Sequence, residues 1–119
     1  LPIPEPLVGD WSADTGYAIG RRMAAGPLPD GVFCANDLTA LGLLAAFREA
    51  GVRVPADVSV VGFDDIDAAR YLQPALTTVR QPFSELGHAA LDRLVAVIEG
   101  RTLGPLALEP TLMVRASTR

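Results

Sequence analysis

Lysine is absent: all ten basic residues of this 119-residue chain are arginine. They are dispersed, and against fourteen acidic residues they leave a formal net charge of −4. Neutralising a phosphate backbone takes clustered cations, so this chain by itself is a poor nucleic-acid binder. Cysteine occurs once, at Cys34, which excludes an intrachain disulfide and lends no support to an oxidising compartment. Set in an apolar run, it reads as a small core residue. Histidine also occurs once, and aromatic residues make up only 6%. No apolar stretch is long enough to span a bilayer, and the amino terminus has no signal-peptide layout. What remains is an ordinary globular composition, 50% hydrophobic and 20% charged, enough for one domain with one core.

The chain is organised around Val58-Ser59-Val60-Val61-Gly62-Phe63-Asp64-Asp65. It is apolar or β-branched with no charge until Asp64, the pattern of a strand covered on both faces. Gly62 lets a ligand or another chain segment approach the backbone. Asp64 and Asp65 fall just past the carboxyl end, where open α/β sheets place their ligand sites. The plainer alternative is that Asp64 caps the next short helix and Asp65 is solvated.

Three prolines in the first six residues exclude a central strand there. Leu7 to Trp11 reads as the end of a strand. Ser12 is a plausible N-cap for a helix over about 13–25, with Asp14 in its first turn. Its apolar stripe is Tyr17, Ile19, Gly20, Met23 and Ala24, and Gly26 stops it. Gly31 to Ala35 is a buried strand ending in Asn36-Asp37. A Leu- and Ala-rich helix follows over about 37–50, closed by Gly51. After the strand Val58 to Phe63 come a short helical turn over Ile66 to Leu72 and a strand over Leu76 to Val79. Ser84 caps a helix to about Glu99 with the stripe Leu86, Ala90, Leu94, Val97 and Ile98. Leu106 to Val114 reads as a final extended pair of strands around Pro110.

Strands alternating with helices over short connections predict a three-layer α/β domain, a parallel sheet with helices on both faces. The strand ends then share one rim: Asp10-Trp11, Asn36-Asp37, Asp64-Asp65 and Gln81, with Trp11, Asn36, Asp64 and Gln81 the candidate ligand contacts. An indole supplies a flat apolar face, and amides with a carboxylate serve the donors and acceptors of a neutral polyol. The rim has no nucleophile with a base and no phosphate-cradling glycine loop.

Three stretches carry a resemblance: Phe33-Cys34-Ala35-Asn36-Asp37-Leu38-Thr39-Ala40-Leu41-Gly42, Gly51-Val52-Arg53-Val54-Pro55 running on through Asp64-Asp65, and Leu76-Thr77-Thr78-Val79-Arg80-Gln81-Pro82. With Gly9-Asp10-Trp11-Ser12-Ala13 and Val114-Arg115-Ala116-Ser117-Thr118, they resemble the carboxyl-terminal half of the lactose-repressor (LacI/GalR) family in order and spacing. The resemblance implies a periplasmic-binding-protein-like fold of two lobes with a sugar or nucleobase-like effector in the cleft. It implies effector contacts for Asn36 and Asp64, stacking for Trp11 and, more remotely, a contact for Gln81. It also implies a homodimer whose interface is flanked by the 37–50 helix and the 66–72 segment, with Leu41, Ala45, Tyr71 and Leu72 at the contact. The helix is more apolar around its circumference than one sheet-facing stripe requires. The alternative is a helix wedged between the sheet and another part of its own chain.

Residues 1–119 thus read as the carboxyl-terminal portion of an effector-binding domain, a part of a longer regulator. The first lobe, the helix-turn-helix head and an opening strand–helix unit that would lie mid-sheet are missing. Operator DNA would be reached only through the missing head. Expected are a cytoplasmic sensor with no enzymatic activity, no cofactor, no metal and no membrane partner. Three rivals stand beside it. A periplasmic sugar-binding protein of a transport system shares the fold. Asp64, Asp65 and Asp67 look like the acidic cluster of a phospho-accepting receiver, but that chemistry needs a lysine. His88 with Glu85 and Asp92 at helical spacing is the metal reading, and a solvated polar face explains the same pattern.

Overall fold

Ser12 begins the regular structure by accepting the Thr15 amide on its Oγ at 3.1 Å, the N-cap bond that the sequence suggests. The computed structural model describes residues 4–119, so the first half of the proline-rich start lies outside the described residues. Helix α1 runs Ala13–Ala24, strand β1 Gly31–Phe33, helix α2 Asp37–Glu49 and strand β2 Ser59–Asp64. A 3-10 turn over Asp67–Tyr71 leads to β3 (Thr77–Arg80), α3 (Phe83–Ile98) and β4 (Thr111–Met113). The strands form one sheet in the order β1-β2-β3-β4. The first two pairings are parallel, with Phe33 opposite Val61 and Asp64 opposite Arg80. β4 returns antiparallel to β3, placing Thr111 opposite Arg80. The mostly parallel sheet of an α/β fold is as the alternation of elements predicts, but helices on both faces are not seen among the described residues: α2 covers one face, α1 lies on α2, and α3 buries only Ala96.

Strand alternation divides the sheet into two faces. Val60 and Gly62 are buried beneath α2, whose Leu43, Leu44 and Phe47 join Val58, Leu76 and Cys34 in the core. Burial raises the Cys34 thiol to about 12, so it is the inert core residue its surroundings suggested. The other face carries Phe33 and Phe63, packed edge to face with ring centroids 6.4 Å apart, and Phe33 is exposed. Helix α1 lies against α2 in an unusually close contact. A Cβ on Gly42 would sit 1.8 Å from the Ala13 carbonyl oxygen, and one on Gly16 would sit 2.1 Å from that of Thr39. Most of the apolar circumference of α2 is therefore used within the chain, by the sheet and by α1, as the wedge alternative has it. Leu38, Leu41 and Ala45 remain as an outward strip.

Three further readings of the sequence need correction. Leu7 to Trp11 is not a strand: no sheet edge runs beside it, Val8 is 92% exposed, and backbone without a ladder partner does not become a strand. Asp10 instead accepts from Ser12 and Thr15, tying this segment to the start of α1. Ser84 is no cap; Pro82 holds the N-cap position of α3 without a side-chain bond, and Ser84 lies inside the helix. Only Thr111–Met113 of the expected strand pair is extended, since Leu106 to Pro110 has no neighbour to pair with. The described strands pair in the order β1-β2-β3-β4, which leaves the outer edge of β1 open. Helix α3 stands off the sheet: only Ala96 is buried, and the stripe of Leu86, Leu94, Val97 and Ile98 is exposed.

Candidate functional site

Because β1, β2 and β3 are parallel, their carboxyl ends open on one rim, and Asn36, Asp64 and Gln81 all sit there. Asn36 is fixed from both ends. Its Oδ1 accepts the Thr39 amide at 2.9 Å as the N-cap of α2, and its Nδ2 donates to the Trp11 carbonyl at 2.9 Å. That second bond brings Trp11 to the rim. The Trp11 backbone is left-handed (φ 70°) and its ring is 62% exposed, a flat apolar surface facing solvent. On the other side, Gln81 Nε2 donates to Asp64 Oδ1 at 2.7 Å. The four expected residues therefore form two bonded pairs, Trp11 with Asn36 and Asp64 with Gln81.

Asp64 does not cap the following turn. Ile66 occupies that position, with no side-chain capping bond. Asp65 is not solvated either: its side chain is 3% exposed and takes Arg80 Nε and Arg115 Nη2, each at 2.6 Å. Burial works against its charge, but the hydrogen bonds from Arg115 and Arg80 prevail and hold the carboxyl below its ordinary value. Behind the rim lies Asp37, fully buried, accepting from Thr78 Oγ1 at 2.6 Å and from the Ile66 amide at 2.9 Å. Burial raises its carboxyl above the ordinary value, and the nearby Asp64 and Asp65 charges add to that. The sequence placed Asp37 on the rim beside Asn36, whereas its side chain turns inward and is fully buried. Arg115 was not singled out, because it lies fifty residues from Asp65.

The valences left over define what the wall can bind. Asp64 Oδ2, Gln81 Oε1 and one N–H each of Asn36 and Gln81 take no protein partner among the described residues. That offers two acceptors and two donors beside an indole face. Arg80, the nearest cation to Asp64 in the ladder, is engaged by Asp65. A cavity of about 400 Å³ adjoins the wall through Gln81 and Arg80. Of the expected contact residues, Leu41 and Ala45 are half-buried on the outward strip of α2. Tyr71 is 77% exposed with the Arg70 guanidinium 5.7 Å from its ring, while Leu72 packs against the core.

Comparison with known proteins shows the family. The family model for a periplasmic binding protein-like domain matches residues 3–118. The HTH-type transcriptional repressor PurR of Escherichia coli O139:H28 is 38% identical over 122 residues, covering 98% of this chain. The chain spans 36% of the length of that relative. The lac repressor dimer bound to operator and the anti-inducer ONPF superposes with a TM-score of 0.86 at 39% identity, over 92% of this chain and 39% of that one. The transcriptional regulator CelR in its cellobiose complex gives 0.82 at 42% identity, over 92% and 34%.

Proposed function

Since the chain belongs to the periplasmic binding protein-like domain family and is homologous to the LacI-type regulators PurR and lac repressor, we propose that it forms one wall of a regulator's effector cleft. Homology makes it part of a transcriptional regulator's effector-binding domain, and the relatives are repressors rather than enzymes. The finer reading is that Trp11, Asn36, Asp64 and Gln81 take a small neutral polyol, a sugar by preference. The observation that carries it is the pairing of an exposed indole with two acceptors and two donors at the strand ends. Sugars offer an apolar ring face and many hydroxyl donors, which is what such a surface satisfies. An anionic ligand would meet the Asp64 carboxylate with no uncommitted cation beside it. The CelR relative holds cellobiose, which supports the same class.

In this reading residues 1–119 contribute the carboxyl-terminal portion of the effector domain. A ligand held between this wall and a second lobe favours one lobe arrangement by its differential affinity for the two. A homodimer, with Leu41, Ala45, Tyr71 and Leu72 at the contact, passes that difference to operator DNA through a separate head, in the cytoplasm. Titration calorimetry of the complete regulator tests the ligand class. Neutral mono- and disaccharides, cellobiose among them, are expected to bind. Exclusive binding of nucleobases or of sugar phosphates would overturn the polyol reading.

A further inference from the structure

Two of the rim's polar side chains belong to neighbouring but different elements, Asn36 at the start of α2 and Asp64 at the end of β2. One buried side chain joins them. Asp37 follows Asn36 directly, is 0% exposed, and reaches two further parts of the chain. Its Oδ1 accepts from Thr78 Oγ1 on β3, and its Oδ2 accepts from the Ile66 amide, two residues beyond Asp64. β2 makes room for it: a Cβ at Gly62 would sit 2.1 Å from Asp37 Oδ1. The close approach expected at Gly62 is therefore made by this carboxyl.

We propose that Asp37 is a positioning residue that sets the placement of Asp64 and Gln81 relative to Asn36. Asp64 and Asp65 both lie in the left-handed region, with φ of 108° and 55°. Non-glycine residues persist there only where the surroundings hold them. Gln81 holds the Asp64 side chain, and Arg80 and Arg115 hold that of Asp65. The Ile66–Asp37 bond is what ties the main chain of this turn to α2. Asp37 cannot touch a ligand itself, so it acts through the residues it places. The job does not depend on charge. A carboxylic acid or a carboxamide can accept from Ile66 with one atom and donate to Thr78 Oγ1 with the other.

That a ligand occupies the rim rests on the function proposed above, whereas the positioning can be read without one. Nuclear magnetic resonance of the complete chain compares wild type with Asp37→Ala, Asp37→Asn and, as a control, Val58→Ala, a core truncation at the far end of β2. In Asp37→Ala the Ile66 amide should exchange with solvent about tenfold faster or more, the measure of a lost buried hydrogen bond. The Asp64 amide and the Gln81 side-chain amide resonances should move with it. Asp37→Asn should restore all three, and Val58→Ala should leave them in place although it lowers stability. If Asp37→Ala does not fold, Asp37→Ser, too short to span both partners, gives the same readout. Unmoved Asp64 and Gln81 signals in the Ala or Ser variant overturn the proposal, as does an equal displacement in Val58→Ala. Cellobiose titration of the same proteins is the separate arm. Wild type that takes no neutral sugar counts against the effector reading alone, and the resonances still decide on Asp37.

Discussion

Asp64 is the residue on which the binding reading depends, and its backbone dictates how it should be probed. With φ at 108°, alanine there would add backbone strain to the loss of the carboxylate, whereas asparagine tolerates positive φ and keeps the shape. Asp64→Asn should leave the fold intact and weaken effector binding by about ten- to a hundred-fold, roughly 1.5–3 kcal/mol for a charged hydrogen bond. Calorimetry reads this directly; an unchanged dissociation constant removes Asp64 from the site. Asp65 does different work. Its folded value is depressed, so its contribution to stability is present above the ordinary carboxylate value and lost as pH falls through the folded one. Asp37 has the opposite sign: its value is raised, so its contribution is lost as pH rises through that value. Melting temperature should therefore fall on acidification below about pH 4, and Asp65→Asn should be less stable at neutral pH with a flatter acid limb. Asp10 and Asp57, each lowered to about 2 by hydrogen bonds, keep part of that limb in the variant. Of these residues the sequence displayed the rim four, because each follows an apolar run or a polar stop. It could not display the burial of Asp37 or Asp65, since that is decided by Thr78 and Arg115, forty-one and fifty residues away.

Between elements, the contact of α1 with α2 is the tightest and the least forgiving. Gly42→Ala would force a methyl into the Ala13 carbonyl and should cost about 1–3 kcal/mol of unfolding free energy, measured by urea denaturation. The sequence announced both helices through Ser12, Gly26 and Gly51, yet assigned Gly42 no packing role, because close approach is a property of the pair. The same contact changes the argument for a dimer. Much of the apolar surface of α2 is used inside the chain, and the proposal now stands on the strip Leu38, Leu41 and Ala45 with the exposed Tyr71 beside Leu72 in sequence. Replacing Leu41 and Tyr71 together with Glu should convert a dimer to a monomer in sedimentation velocity. Unaltered sedimentation of the double variant would move the interface elsewhere.

At the scale of the molecule, the Cα radius of gyration is 17.6 Å, against about 13.5 Å expected for a compact chain of this length. The long dimension, 57 Å against 29 and 27, reflects a helix that buries little. The periodicity of α3 showed which side is apolar, but periodicity cannot say whether anything covers it. Its large apolar residues should therefore contribute little to this chain's stability. Leu94→Glu should change the unfolding free energy by less than about 0.5 kcal/mol, whereas Leu43→Ala in the core should cost about 2–5 kcal/mol. A large loss in the α3 variant would show that the helix packs after all. Helix α3 also departs and returns at a single rung of the sheet, since it leaves after Arg80 and the chain comes back at Thr111, the two being partners across β3 and β4. Mechanically this is a double tether. The whole excursion over residues 81–110 is therefore moored to the sheet at one place, its two ends side by side at the Arg80–Thr111 pair.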